Sequence, residues 1–238
     1  MTALITFNNT VLSPRIKDGW RSFKMKSQDV VVLLKLVSLH TELFCGDSEE
    51  NGLLEFSWRF HDWSDNGKDF YEEPSIIDEY IERRFSMRSL ENDTGISKSQ
   101  VNLSLKRMID VGLVKVDRKL AVPKTNVKAL LEFLAYGIRY VFPAKEGELT
   151  RGIATSIAAP VLQGKLMTSG DFSPVWPYAK GNSKGLAIEP LHPKIFQAVR
   201  KDPRMYAYLA LTDAIRLGNP RERNFALDTL QQLFKVKV

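Results

Sequence analysis

The sequence predicts an α+β fold that is mostly helical. Apolar residues recur at a spacing of three or four in several separate segments, which is typical of amphipathic helices, whereas strand-like alternation is short and rare. Hydrophobic residues make up 44% of the 238 residues and charged residues 26%, as in chains that fold around a core. This length allows either one large domain or two small ones, and we expect a division into residues 1–123 and 124–238.

The first part is predicted to begin with a strand or an extended arm over residues 1–20, followed by a helix over residues 28–43. Apolar residues cover most of that helix, so we expect it to be buried. Residues 46–75 are acidic and rich in aromatic residues, which indicates an elaborated loop with a short strand at residues 53–60. Pro74 then begins another helix.

Two helices joined by a turn are predicted next. The first spans residues 86–93 and directs Leu90 inward, Gly95 makes the tight turn, and Ile96 fills the corner between the helices. The second spans residues 97–111.

The start and the buried face of the second helix can both be predicted. Ser97 and Gln100 match the Ser-x-x-Gln capping box that begins many helices. Four apolar residues share one face at about 100° per residue: Val101, Leu105, Met108 and Ile109. Gly112 ends the helix, and a small basic hairpin with strands at residues 113–116 and 119–122 is expected to follow.

The order of helix, turn, helix and hairpin resembles the winged helix-turn-helix domain of bacterial MarR-like transcriptional regulators. The resemblance covers residues 28–123, and its motif lies in residues 86–122. The family's Gly-Ile/Leu-Ser turn corresponds to Gly95-Ile96-Ser97, and its Gly-Leu after the recognition helix corresponds to Gly112-Leu113. The acidic insertion 46–75 departs from the minimal fold.

The resemblance implies that residues 97–111 form a recognition helix, residues 113–122 form a basic wing, and the partner is double-stranded DNA. Opposite the apolar stripe, the helix exposes residues that can reach base edges: Lys98, Ser99, Gln100, Asn102 and Leu103. Leu103 would touch a thymine methyl group or a partner, or is simply a lone exposed leucine. Other bases are better placed to bind phosphates: Arg88, Lys106, Arg107, Lys115, Arg118 and Lys119.

The charge distribution agrees with this hypothesis. Residues 84–128 contain ten bases and four acids, a net charge of +6, and this segment includes the motif. Residues 47–82 contain twelve acids and two bases, a net charge of −10. DNA would repel that acidic segment, whereas a basic protein partner would attract it.

The second part is predicted to begin with a long helix over residues 127–141, capped by Thr125. Residues 144–192 are rich in Gly, Pro and Ser and indicate an irregular connector. Helix starts follow at Asp202-Pro203 and at Asn219-Pro220, where Glu222 completes a capping box, and Gly218 ends the helix between them.

The C-terminal helices are expected to share an apolar seam that contacts the long helix. The seam residues are Met205, Leu209, Ile215, Leu227, Leu230 and Phe234. We expect the same region to serve dimerisation or partner binding, because helix-turn-helix regulators usually bind two half-sites as homodimers.

Signals for catalysis are weak, so we expect neither an enzyme nor a cofactor. The three histidines, His40, His61 and His192, lie in no metal-binding motif. His61-Asp62 beside Asp65 would suggest a metal site or an acid–base pair, but the stretch also suits a solvated acidic loop. Residues 181–185 have the composition of a phosphate loop without its spacing, which favours a turn.

The single cysteine, Cys45, excludes an intrachain disulfide and suits a reducing compartment. The N-terminus has no basic region followed by an apolar one, so we expect no secretory signal. The longest apolar stretch, residues 30–39, contains Lys35 and is too short to span a bilayer. We therefore expect a soluble cytoplasmic protein without membrane partners.

Two functional hypotheses follow. The first is a sequence-specific transcriptional regulator that binds DNA as a homodimer. The alternative is an antitoxin or adaptor that masks a protein partner, with or without DNA binding. The C-terminal half resembles bacterial winged-helix proteins encoded beside nucleotidyltransferase-like toxins, which implies an antitoxin-type operon regulator. The residues that carry this resemblance are Val175-Trp176-Pro177, Gly185, Glu189-Pro190-Leu191, Asp202-Pro203 and the run at residues 209–223.

Overall fold

The computed structural model describes residues 24–45, 77–118, 120–165 and 172–234. It shows the predicted α+β class, because helices dominate and small sheets accompany them. Several predicted features lie outside the described residues: the arm at 1–20, the acidic insertion 46–75 with its strand at 53–60, His61, Pro74 and Lys119. Within the described part of the chain, no helix has both the length and the apolar character that crossing a bilayer requires.

The first half of the described chain consists of helices followed by a β-hairpin. The helices are α1 (Ser27–Cys45), α2 (Ile77–Arg84), α3 (Met87–Thr94) and α4 (Lys98–Asp110). The hairpin pairs β1 (Val114–Val116) with β2 (Pro123–Thr125) in antiparallel fashion. These bounds confirm, to within two residues, the helices predicted at 28–43, 86–93 and 97–111.

The second half combines helices with a three-stranded sheet. Its helices are α5 (Val127–Tyr136), α6 (Ile138–Val141), α7 (Ile195–Lys201), α8 (Pro203–Leu217) and α9 (Pro220–Leu233). Its strands are β3 (Glu146–Ala154), β4 (Ser173–Pro177) and β5 (Ser183–Ile188), and a 3-10 turn at Ser156–Ala158 follows β3.

The predicted helix starts of α8 and α9 are confirmed. The Asp202 side chain accepts hydrogen bonds from the backbone N–H groups of Arg204 and Met205, and proline occupies the first turn. Asn219 and Glu222 form the complete capping box at the start of α9, and Gly218 caps the end of α8. Local side chain–backbone hydrogen bonds determine these ends, which explains why the sequence predicts them.

Helix α1 lies at the centre of the molecule. All residues from Val30 to Leu39 are buried, and the helix contacts α3, α4, β2 and α8. A helix that is apolar on all sides is stable only when it is surrounded, as predicted for this segment. Because α4 and α8 both pack on α1, the two predicted parts of the chain share one hydrophobic cluster.

The single long helix predicted at residues 127–141 is wrong in two respects. Gly137, a poor helix former, separates α5 from α6. Thr125 does not cap the helix, because it belongs to β2 and its hydroxyl donates a hydrogen bond to the carbonyl of Leu33, 3.1 Å away. Asn126 is the cap instead, and its side chain accepts from the backbone N–H of Ala129 at 3.3 Å.

The irregular connector predicted at residues 144–192 is also wrong, since this segment contains β3, β4 and β5. Each strand pairs with the other two, so the sheet closes on itself: β3 is antiparallel to both neighbours, and β4 is parallel to β5. Glycine permits the close approach of the strands. A Cβ at Gly152 would collide with the carbonyl of Trp176, and one at Gly185 would collide with that of Ser173.

A buried carboxylate attaches this sheet to α8. Asp213 accepts hydrogen bonds from Trp176 Nε1 at 2.5 Å and from the Thr155 hydroxyl at 3.0 Å, and Arg216 Nη1 lies 2.6 Å from its other oxygen. Burial raises the pKa of Asp213 despite the adjacent guanidinium. The Arg216 guanidinium also donates to the carbonyls of Phe142 and Pro143, so the chain after α6 is held to the same helix.

The predicted C-terminal seam is part of the core. Met205, Leu209, Ile215, Leu230 and Phe234 are buried, and the half-buried Leu227 packs against them. Helices α8 and α9 both contact α5, as predicted.

Candidate nucleic-acid interface

The turn between α3 and α4 is built from local hydrogen bonds. Ser86 caps α3 by accepting from the N–H of Ser89 at 3.2 Å, and Gly95 adopts a left-handed φ of 71°. The Thr94 hydroxyl donates to the carbonyl of Leu90 at 2.6 Å and accepts from the N–H of Ile96 at 3.2 Å. Leu90 and Ile96 are buried as predicted, so α4 leaves the turn in a well-defined direction.

The buried face of α4 differs from the prediction at one position. Val101, Leu105 and Met108 are buried, but Ile109 is 43% exposed, and Ser104 is buried in its place. At about 100° per residue, Ile109 lies roughly 100° from Met108, whereas Ser104 lies only about 40° from it. The buried face of α4 is therefore shifted away from Ile109 and towards Ser104.

The opposite face of α4 is exposed and polar. It presents Lys98, Ser99, Asn102, Leu103 and Lys106. Leu103 is 45% exposed among these polar residues. Four of the five predicted base-reading residues therefore share one accessible face, with Lys106 beside them.

Gln100 does not behave as predicted. No side-chain hydrogen bond caps α4 at Ser97, so the capping box is wrong. The Gln100 side chain is half-buried, and its oxygen accepts from Gln28 Nε2 of α1 at 3.1 Å. The same Gln28 amide donates to the Ser104 hydroxyl at 3.3 Å, so Gln100 helps to hold α4 on α1 and is not free to read a base.

Arg107, which was predicted to bind phosphate, is bonded to another part of the protein instead. Its Nε lies 3.0 Å and its Nη2 2.5 Å from the two carboxylate oxygens of Asp29, which is fully buried in α1. The Ser104 hydroxyl donates to the same carboxylate. Because a buried carboxylate needs a countercharge, Arg107 is committed to Asp29. In the sequence, an acid directly before the apolar run 30–39 is the feature that could have indicated a buried carboxylate here.

The hairpin extends the exposed basic surface beyond α4. Lys115 and Arg118 are exposed, as is Arg88 on α3. The predicted second strand at 119–122 is wrong, because Val116 pairs with Pro123 and Val114 pairs with Thr125.

The described residues 117, 118 and 120–122 belong to the loop of the hairpin instead. Asp117 organises this loop: its N–H donates to the carbonyl of Val122 at 2.8 Å, and its carboxylate accepts from the N–H of Leu120 at 3.2 Å. The same carboxylate pairs with Lys124 at 3.3 Å.

A largely buried ionic cluster joins α1, α2, α3 and the start of α8, and no local sequence pattern predicts it. Lys35 Nζ of α1 lies 3.1 Å from Asp93 of α3 and 2.8 Å from Asp202 at the start of α8. The Ser38 hydroxyl donates to Asp202 at 2.6 Å. On the other side of Asp93, Arg84 lies 3.5 Å away and pairs with Glu42 at 2.9 Å.

The charges in this cluster stabilise one another. Burial alone would lower the pKa of Lys35, but the carboxylates of Asp202 and Asp93 raise it above its ordinary value. Burial alone would raise the pKa of Asp202, but Lys35 and the Ser38 hydroxyl lower it below its ordinary value. Lys35 and Asp202 are therefore both charged at neutral pH, and the contacts of Lys35 join α1, α3 and the start of α8.

The two described histidines, His40 and His192, are both half-buried. His40 Nε2 lies 3.1 Å from the carbonyl of Pro123, and burial lowers the pKa of His40. Burial also lowers the pKa of His192, assisted by Lys194. Among the described residues, no group of three or more His, Cys, Asp or Glu side chains is placed to hold a metal ion.

No protein-family model, curated protein or solved structure matches this chain. The geometry of the exposed face of α4 and of the hairpin is therefore the basis for a functional assignment.

Proposed function

We propose that this protein is a sequence-specific DNA-binding transcriptional regulator with a winged helix-turn-helix domain. In this proposal α4 enters the major groove and the hairpin β1–β2 contacts the neighbouring backbone. The observation that carries the proposal is the exposure of the polar face of α4 together with Lys115 and Arg118 of the hairpin, whose first strand contacts α4. Helix α4 is 13 residues long, and a major groove about 12 Å wide admits a helix of ordinary diameter.

The side chains on this surface divide into two roles. Asn102 has the amide geometry that bridges two atoms of an adenine edge, and Lys98 can reach guanine acceptors. Ser99 and Leu103 complete the base-reading set, with Leu103 suited to a thymine methyl group. Lys106, Lys115, Arg118 and Arg88 are cations suited to phosphates, and they set the register of the protein without reading sequence.

Gln100 and Arg107 act as positioning residues in this proposal. Both bind α1 through side chains, Gln100 to Gln28 and Arg107 to Asp29. An interface that reads bases must hold its helix rigidly, because small displacements break bidentate hydrogen bonds. We propose that two copies of the chain bind two half-sites, since one helix reads too few base pairs for useful specificity.

The experiment compares DNA binding by the wild-type protein and two variants, using its own upstream duplex and a mixed-sequence duplex. Asn102→Ala should weaken binding to the upstream duplex by about 1–3 kcal/mol and leave the mixed-sequence duplex nearly unchanged. Arg118→Ala should weaken both equally. With four phosphate-binding cations per subunit, the log–log salt slope should lie near −3.6 per subunit, and Arg118→Ala should reduce its magnitude by about 0.9.

Lys184→Ala is the matched control, because Lys184 is an exposed lysine of β5, far in sequence from the interface. It should change neither affinity nor slope. A wild-type salt slope near −1, or no binding to any upstream fragment, would contradict DNA binding. Equal loss for both duplexes in Asn102→Ala would contradict the placement of α4 in the groove.

A further inference from the structure

A second basic surface lies beside the face of α4. A cleft of about 660 Å³ opens between α3 and α7, with the end of α2 at one side. The residues that line it include two arginines, Arg83 and Arg88, and two serines, Ser86 and Ser89. Guanidinium and hydroxyl groups together form a set of donors suited to phosphate oxygens.

Polar contacts hold helix α7, from the second half of the chain, against one wall of this cleft. Gln197 Nε2 donates to the carbonyl of Asn92 at 2.5 Å. Lys201 Nζ donates to the same carbonyl at 2.7 Å and to the Asn92 side-chain oxygen at 2.8 Å. Helix α7 is thereby held against the last turn of α3.

The start of α7 reaches the turn that leads into α4. A Cβ placed on Gly95 would lie 3.3 Å from Lys194 Cβ and 2.7 Å from the Gln197 side-chain oxygen. Lys194 is exposed, so it adds a cation beside the turn. Gly95 and Lys98 are three residues apart and can be separated by at most about 11 Å, which corresponds to roughly three nucleotides of one DNA strand.

We infer that this cleft, together with Lys194, binds the phosphodiester backbone that flanks the base pairs read by α4. The inference rests on the proposed function and extends it, because it gives the C-terminal half of the chain a direct part in DNA binding. Arg83, Arg88 and Lys194 supply the positive charge on both sides of the cleft. A backbone strand that leaves the first turn of α4 passes this surface within a few nucleotides.

Glu91 provides a sharp test, because it is a carboxylate in the wall of the same cleft. A phosphate bound there would be repelled by Glu91, so its neutralisation should strengthen binding. A residue with a purely structural role would not give a gain of affinity when it is replaced.

The experiment measures binding of the full chain to a mixed-sequence duplex over a range of salt concentrations, since phosphate contacts do not depend on sequence. Lys194→Ala should weaken binding and reduce the magnitude of the salt slope by about 0.9. Lys194→Arg should retain wild-type binding. Glu91→Gln should bind more tightly than wild type, and Lys184→Ala should match wild type. Circular dichroism melting curves confirm that each variant is folded.

The outcomes separate the two proposals. If wild type binds DNA with a salt slope of about −3.6 or steeper per subunit but Lys194→Ala and Glu91→Gln match it, the cleft is not a backbone site, while the proposed function stands. If wild type binds no duplex, both proposals fail. Saturable binding of inorganic phosphate that Lys194→Ala abolishes, with the duplex slope unchanged, would assign the cleft to a free phosphate compound and overturn the inference.

Discussion

At the residue scale, Lys35 is a buried charged side chain that joins distant parts of the described chain. Its amine lies between Asp93 and Asp202, carboxylates that are far apart in the chain and belong to different halves of it. The lysine is about as deeply buried as its apolar neighbours in α1. Because a buried charge is tolerated only with partners, each member of this cluster depends on the others.

Replacement of Lys35 by methionine should lower the free energy of unfolding by about 3–5 kcal/mol, because the buried Asp202 loses its ion-pair partner and Asp93 keeps only Arg84, 3.5 Å away. The pKa of Lys35 is raised in the folded protein, so its stabilisation is fully present below its unfolded pKa and is lost as pH rises through the folded value. The difference between variant and wild type should therefore be greatest near neutral pH and shrink at strongly alkaline pH. Urea denaturation at several pH values measures it.

Lys106→Met is the matched control for this experiment, since Lys106 is exposed. It should change stability by no more than about 0.5 kcal/mol. A Lys35→Met variant as stable as wild type would show that the cluster contributes no net stability.

At the scale of elements, the three-stranded sheet depends on glycine. Strands β3, β4 and β5 each pair with two neighbours, so the sheet has little room at the points of closest approach. Gly181 extends this pattern, because a Cβ there would collide with the backbone of Gly152. The sheet is also anchored to α8 through Trp176 and Asp213, so a change in strand spacing would reach the core.

Gly185→Ala should lower the free energy of unfolding by about 1–3 kcal/mol or more, because its Cβ would collide with the carbonyl of Ser173 and force β4 and β5 apart. Gly147→Ala is the control in the same sheet, since its Cβ would make an ordinary contact with Ala187 at 3.4 Å. Thermal melting monitored by circular dichroism compares the two variants. Equal melting temperatures would contradict the proposed role of Gly185.

At the scale of the whole molecule, the two halves of the described chain share one hydrophobic core. One hydrophobic cluster includes residues of α1, α4, α5 and α8. Helix α1 contacts α4 of the first half and α8 of the second, and the Lys35 cluster joins α1 to α3 and to the start of α8. Loss of structure in one half would expose apolar surface of the other.

We therefore expect one cooperative unfolding transition rather than two. In urea, the change in tryptophan fluorescence and the change in far-ultraviolet circular dichroism should have the same midpoint. Lys35→Met should shift both curves together. Two separated transitions would show that the halves at residues 1–123 and 124–238 unfold as independent domains.

Features that depend on residues close together in the chain can be predicted from the sequence. The ends of α8 and α9 follow from Asp202, Asn219 and Glu222, whose side chains bond to backbone groups within three residues. The turn at Gly95 follows from its left-handed backbone. The burial of α1 follows from its apolar composition. The exposed face of α4 was largely predictable too, because helical periodicity places residues on faces.

The contacts of polar side chains and strands with distant parts of the chain can be seen only in the folded structure. Lys35 and Asp202 are 167 residues apart, and Arg107 and Asp29 are 78 apart, so no local pattern indicates that they meet. For the same reason, Gln100 was expected to cap its own helix and instead contacts α1. Strands β3 to β5 do not show a strong alternation of apolar and polar residues. Glycines in and beside them lie where another backbone segment passes closely, and such contacts between distant segments exist only once the chain has folded.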